Sequence, residues 1–137
     1  DRARELGMKN TRFVNASGLT EAGHETTARD LAIMSLAMVK HFPQSYKYFG
    51  DPEYRYGNTL LTNHNRLLKT MPGVDGIKTG YTVAAGFTLA ASAMRDGRRL
   101  IAIVLGGPST MARDNNVRAL LEAGFDVMKS RAMGLRT

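Results

Sequence analysis

The chain has 137 residues, enough for one domain and no more. With 43% hydrophobic residues, 23% charged residues and no cysteine, it is neither a mainly disordered chain nor a disulfide scaffold; its longest apolar run, Leu100 to Leu105, falls far short of the roughly 20 residues that span a bilayer. Nineteen basic against twelve acidic residues give a net charge of +7, which suits a polyanionic surface or a substrate bearing carboxylates.

Asp1 to Leu6 reads as the last turns of a helix with Gly7 as its C-cap, and a chain opening inside a helix is expected to be a piece of something longer. Met8 to Leu19, rich in Asn, Thr, Ser and Gly, predicts a loop with one short extended piece around Phe13 and Val14. Thr27-Ala-Arg-Asp30 has the shape of an N-terminal capping box. Behind it Leu31, Met34 and Met38, with Ala32 and Ala37, recur at helical spacing until Pro43 ends the helix near His41. Tyr46, Tyr48, Phe49, Tyr54 and Tyr56 predict an aromatic cluster that includes a strand near residues 53–59. Asn63 to Thr70 reads as irregular, and Pro72-Gly73 as a turn.

The sharpest local signal comes next. Phe87, Leu89, Ala91 and Ala93 alternate with Thr88, Ser92 and Met94, Asp96-Gly97 is a hairpin dipeptide, and Leu100 to Leu105 reads as a strand buried on both faces. Gly106-Gly107-Pro108 breaks it, and Ser109 or Thr110 caps a last helix with Val117, Leu120, Leu121, Phe125 and Met128 as its apolar stripe. The expected architecture is α+β, an antiparallel sheet with packed helices, over residues 1–130; residues 131–137 form a basic tail or linker.

Several chemistries find no support. His24, His41 and His64 lack metal-ligand spacing, no phosphate-binding glycine loop occurs, and no cofactor is implied. Basic residues divide ten to nine between residues 1–70 and 71–137, with no run longer than Arg98-Arg99, so no stripe for nucleic acid is expected. The segment Val74-Asp-Gly-Ile-Lys-Thr-Gly-Tyr-Thr82 stands out instead. On a strand, Lys78 and Gly80 take one face and Thr79 the other. The lysine would supply positive charge near a nucleophile, the threonine hydroxyl would bind a carboxylate, and the glycine would let a ligand backbone approach. A solvated edge lysine beside a turn fits the same triplet.

Lys78-Thr79-Gly80, within Asp75-Gly-Ile-Lys-Thr-Gly-Tyr-Thr82, resembles the third active-site motif of the serine D-alanyl-D-alanine carboxypeptidases, the low-molecular-mass penicillin-binding proteins that share the serine β-lactamase fold. Asn15-Ala-Ser-Gly-Leu19, Thr27 to Ala32, Asn63 to Leu68, Ala85-Gly86, the hairpin ending at Leu105-Gly106 and the helix beginning near Arg113 resemble family segments in family order. The likeness covers roughly residues 5–128. It implies the C-terminal part of a catalytic domain. In that reading Lys78 supplies charge to the hydroxyl network, and the backbone N–H of Tyr81 is an oxyanion-hole donor. Thr79 binds the C-terminal carboxylate of a D-Ala-D-Ala stem peptide, Gly80 keeps the strand edge clear, Arg113 helps to bind the same carboxylate, and Thr82 adds a hydroxyl to the rim. Arg113 equally fits a solvated helix arginine, and Asp75 fits a residue that fixes the loop before the strand.

One feature of the family is missing. None of Ser17, Ser35, Ser45, Ser92, Ser109 and Ser130 is followed three residues later by lysine. The resemblance therefore implies a companion N-terminal segment carrying Ser-x-x-Lys, without which the chain would be inactive and a poor folder. The implied activity is a carboxypeptidase working through an acyl-enzyme and inhibited by penicillins and other β-lactam antibiotics. A DD-endopeptidase of the same family and a non-catalytic peptidoglycan-binding module stay open beside it, and a β-lactamase fits less well. The family is exported to the periplasm or cell envelope, and no membrane anchor is seen in these residues.

Overall fold

Two capped helices and a three-stranded sheet carry the architecture of this computed structural model, which describes residues 1–136. In chain order the elements are α1 (Arg2–Glu5), α2 (Ala28–His41), α3 (Pro43–Tyr46), a 3-10 turn (Lys47–Gly50), β1 (Glu53–Tyr56), β2 (Thr59–Thr62), α4 (Leu67–Thr70), β3 (Val74–Thr82), β4 (Gly86–Arg95), β5 (Arg98–Gly107) and α5 (Thr110–Ala132). The last helix takes in Arg131 and Ala132, the first two residues of the expected tail; the end of that tail, Thr137, lies outside the described residues.

Half of the capping box at α2 forms as expected: the Thr27 hydroxyl accepts from the Asp30 N–H at 3.1 Å. The Asp30 carboxylate has another use. It is buried and accepts from the Asn10 N–H (2.8 Å) and the Thr11 hydroxyl (2.6 Å), which ties the long N-terminal loop to the start of the helix. That loop also buries Met8 and closes through a bridge between Arg12 and Glu25.

β3, β4 and β5 form one antiparallel sheet in that order, so β3 lies at an edge. Asp96 (φ 51°) and Gly97 (φ 71°) both take positive φ at the β4–β5 turn, the backbone a two-residue hairpin requires. On one face Leu89, Ala91 and Ala93 of β4 and Ala102 of β5 meet Val117 and Leu121 of α5, with Leu67 and Met71 closing the side. The other face receives α2.

Four expectations need correction. Asn63 to Thr70 is not irregular throughout, because α4 inserts Leu67 into the core. The single strand expected near 53–59 is a separate two-stranded hairpin, β1 with β2, whose residues are all exposed. The aromatic cluster divides: Tyr46 and Phe49 pack edge to face at 5.6 Å, while Tyr48, Tyr54 and Tyr56 are exposed. Leu120 leaves the α5 stripe and is 53% exposed, and the first turns of that helix bury Arg113 and Asp114 instead.

Candidate active site

The start of β3 is fixed by polar contacts from three elements. The Asp75 carboxylate accepts from one Arg99 nitrogen, Nη1, at 2.8 and 2.9 Å. The same Nη1 donates to Ser92 Oγ at 2.7 Å, so Arg99 reaches across β4 from β5. Tyr46 donates its hydroxyl proton to Asp75 at 2.9 Å. Burial, with the adjacent Asp75 carboxylate adding to it, pushes the Tyr46 phenol up to about 12. The Arg99 guanidinium is raised above its ordinary value, chiefly by its hydrogen bond to Asp75. From the other side, buried Asn65 donates its amide to the Gly76 carbonyl at 3.0 Å. A Cβ at Gly76 would stand 2.7 Å from the Tyr46 hydroxyl, so this close approach requires glycine.

Beyond that anchor the strand runs out along the sheet edge. The Gly80 carbonyl faces β4, where it accepts from the Thr88 hydroxyl at 3.1 Å. Successive residues of a strand turn their backbone polar groups to opposite sides, so Thr79 and Tyr81 turn theirs to the open edge. The Thr79 carbonyl accordingly accepts from Lys78 Nζ at 2.5 Å. Register pairs Thr79 with Leu89 and Lys78 with Ala90, which puts the threonine on the α5 face and the lysine on the α2 face. A Cβ at Gly80 would lie 2.8 Å from Thr88 Oγ1, a reason for glycine that comes from the neighbouring strand. Tyr81 stacks on Phe87 at 4.3 Å between ring centroids. Thr82 Oγ1 accepts from the Ala85 N–H at 3.0 Å and so holds the turn behind the strand.

A cleft of about 640 Å³ runs along this edge. Lys78, Thr79, Gly80 and Tyr81 form one wall, Thr110 and Arg113 of α5 another, and Asn63, His64 and Arg66 a third. Four of the expected site residues on β3 thus share one cleft with Arg113, although 35 positions separate Lys78 from that arginine; Thr82 lies outside the lining. Arg113 is 3% exposed, so it is not a solvated helix arginine. Its Nε donates to Asp114 Oδ1 at 2.9 Å. Its Nη2 approaches the same oxygen at 2.8 Å without hydrogen-bonding geometry and is left as a buried donor with no hydrogen-bond partner. Arg113 still lines the cleft, and a guanidinium there suits an incoming anion.

Sequence reasoning missed His64, Arg66 and Asp114. Asp114 shares its carboxylate between Arg113 and Arg66, the latter through Arg66 Nε at 3.0 Å. The segment Asn63 to Leu68 carried a family likeness, but nothing in its spacing pointed at the cleft. On the opposite face Leu31, Met34, Met38 and Phe49, with Lys78, line a second, mostly apolar groove of about 330 Å³. Among the described residues no group of three or more His, Cys, Asp or Glu side chains is placed to hold a metal ion.

A sequence profile described as D-alanyl-D-alanine carboxypeptidase, peptidase S11, matches residues 1–109. The D-alanyl-D-alanine carboxypeptidase DacF of Bacillus subtilis (strain 168) is 44% identical over 129 residues, which cover 90% of this chain and 33% of the relative. A crystal structure of penicillin-binding protein 5 from Haemophilus influenzae superposes with a TM-score of 0.87 at 34% identity, over 91% of this chain and 37% of that one. Penicillin-binding protein D2 from Listeria monocytogenes in its ampicillin-bound form does so with a TM-score of 0.84 at 34% identity, over 90% and 52%. The chain spans about a third of the length of the curated relatives it matches.

Proposed function

This chain belongs to the D-alanyl-D-alanine carboxypeptidase family, peptidase S11, and from that premise we propose that it supplies the carboxylate-binding wall of a serine-type D-Ala-D-Ala carboxypeptidase acting on peptidoglycan stem peptides. The observation that carries the reading is Arg113. A buried guanidinium whose Nη2 makes no hydrogen bond among the described residues lines the same cleft as Thr79 on an open strand edge. A peptide laid along β3 pairs with the edge-facing backbone groups of Thr79 and Tyr81, taking the place of Lys78 Nζ on the Thr79 carbonyl. Its terminal carboxylate then falls between the Thr79 hydroxyl and Arg113.

The reaction in this reading begins when a serine hydroxyl attacks the carbonyl carbon of the penultimate D-alanine. No Ser-x-x-Lys occurs in these residues, so a segment outside them supplies that serine. The Tyr81 N–H donates to the developing oxyanion, and Lys78 provides fixed positive charge beside the nucleophile's hydroxyl network. The C–N bond breaks, the terminal D-alanine leaves with its amine protonated, and water hydrolyses the remaining ester. In this reading penicillins form the same kind of ester; the ampicillin-bound form of a relative supports β-lactam binding. The relatives' names as D-alanyl-D-alanine carboxypeptidases support export to the cell envelope; no described helix is long and apolar enough to cross a membrane.

The test is D-alanine release from an N-acetylated tripeptide ending in D-Ala-D-Ala, using the polypeptide that carries these residues. Release that is abolished by prior treatment with penicillin supports the reading. Tight binding of the tripeptide with no release would favour a peptidoglycan-binding module.

A further inference from the structure

The cleft carries more positive charge than one terminal carboxylate uses. Lys78, Arg66 and Arg113 line it with His64, and among the described residues no aspartate or glutamate does. The nearest acid, Asp114, is buried behind the lining with one oxygen on Arg113 Nε and the other on Arg66 Nε. Arg66 is therefore tethered at Nε while its side chain stays 56% exposed. Its two terminal nitrogens have no protein partner among the described residues. A guanidinium held in this way presents its end-on fork to an incoming carboxylate with part of its side-chain freedom already lost.

We propose that Arg66 is a second anion anchor of this cleft, and that the site selects peptides bearing a side-chain carboxylate as well as their C-terminal one. The inference rests on the reading that Thr79 and Arg113 hold the terminal carboxylate. Two guanidiniums gripping opposite oxygens of one aspartate sit side by side, and carboxylates two residues apart on an extended peptide are separated by roughly 7 Å of backbone rise. The arrangement proposed is one anchor for each carboxylate. A single carboxylate shared by both arginines is the alternative the experiment separates.

The probes are acetyl-L-Glu-D-Ala-D-Ala and its neutral isostere acetyl-L-Gln-D-Ala-D-Ala, with dissociation constants measured by calorimetry on the polypeptide that carries these residues. The expected result is a preference for the Glu peptide of about tenfold or more at low salt, shrinking as salt is added. Arg66→Gln is expected to remove that preference, bringing the affinity for the Glu peptide down to that for the Gln peptide. Arg66→Lys, which keeps the charge but loses the fork, should retain part of the preference, and it serves where Arg66→Gln fails to fold. Equal affinities in the parent protein overturn the proposal. So does an Arg66→Gln variant that loses both peptides in equal proportion, because Arg66 then acts on the shared terminal carboxylate. Binding of neither peptide overturns the parent reading, and this one with it.

Discussion

Thr79 and Arg113 reach the cleft by different routes, and their substitution should read out differently. Thr79 is half-buried on a strand whose backbone is fixed elsewhere, so Thr79→Val keeps the shape and removes only the hydroxyl. A hydrogen bond to a charged group contributes about 1.5–3 kcal/mol, so kcat/KM for a D-Ala-D-Ala peptide should fall roughly 10- to 100-fold with little change in melting temperature. An unchanged kcat/KM would remove Thr79 from the site. Tyr46 makes a second prediction at this scale. Its phenol is raised from 10.0 to about 12 by burial. The folded state therefore holds a proton that the unfolded chain releases, so this stabilisation is complete below pH 10 and is lost as pH climbs towards 12. The stability difference between the parent and Tyr46→Phe should shrink across that window in denaturant titrations. A difference that stays constant would contradict the assignment.

Among the elements, β3 depends on the side chains at its root. Asp75 and Arg99 are only partly shielded, with side chains 37% and 19% exposed, so their contact is weaker than a fully buried pair. Arg99→Met leaves Asp75 facing Tyr46 alone and should cost about 1–3 kcal/mol by chemical denaturation; no measurable cost would mean that the strand is held by its ladder to β4. The sequence reading anticipated a loop-fixing role for Asp75 without being able to name its partner. Asp75 and Arg99 are 24 residues apart, and only the β3-β4-β5 order joins them. The β4–β5 hairpin and the cap of α2 were legible because their signals are local: Asp96-Gly97 for the turn, Thr27 and Asp30 for the cap. Leu120 was misplaced because Arg113 and Asp114 take inward positions in the first turns of α5, and no local pattern marks a buried ion pair. The short helix α4 and the exposed hairpin β1–β2 are decided by packing, or by its absence, which a four-residue window does not register.

At the scale of the whole molecule, the sheet has one finished face and one open one. The α5 side buries Leu89, Val117 and Leu121 almost completely, whereas Leu31, Met34 and Met38 of α2 stay half-buried along an open apolar groove. Tyr54, Tyr56, Leu60 and Leu61 stand exposed on the β1–β2 hairpin. Apolar surface left in this state promotes association. The 137-residue chain prepared by itself should therefore bind a hydrophobic dye and scatter light at micromolar concentration; a monomeric sample with a cooperative melt and no dye binding would contradict that expectation. The proposed chemistry is tested on the same scale, since Lys78, Thr79 and Arg113 line the cleft while no Ser-x-x-Lys occurs in these residues. The most direct measurement is denaturing mass spectrometry of the protein carrying these residues after incubation with a penicillin. The account predicts one covalent adduct, on a serine of a Ser-x-x-Lys segment outside these 137 residues, which forms much more slowly in Thr79→Val. An unmodified protein, or an adduct whose rate of formation is indifferent to Thr79, would contradict it.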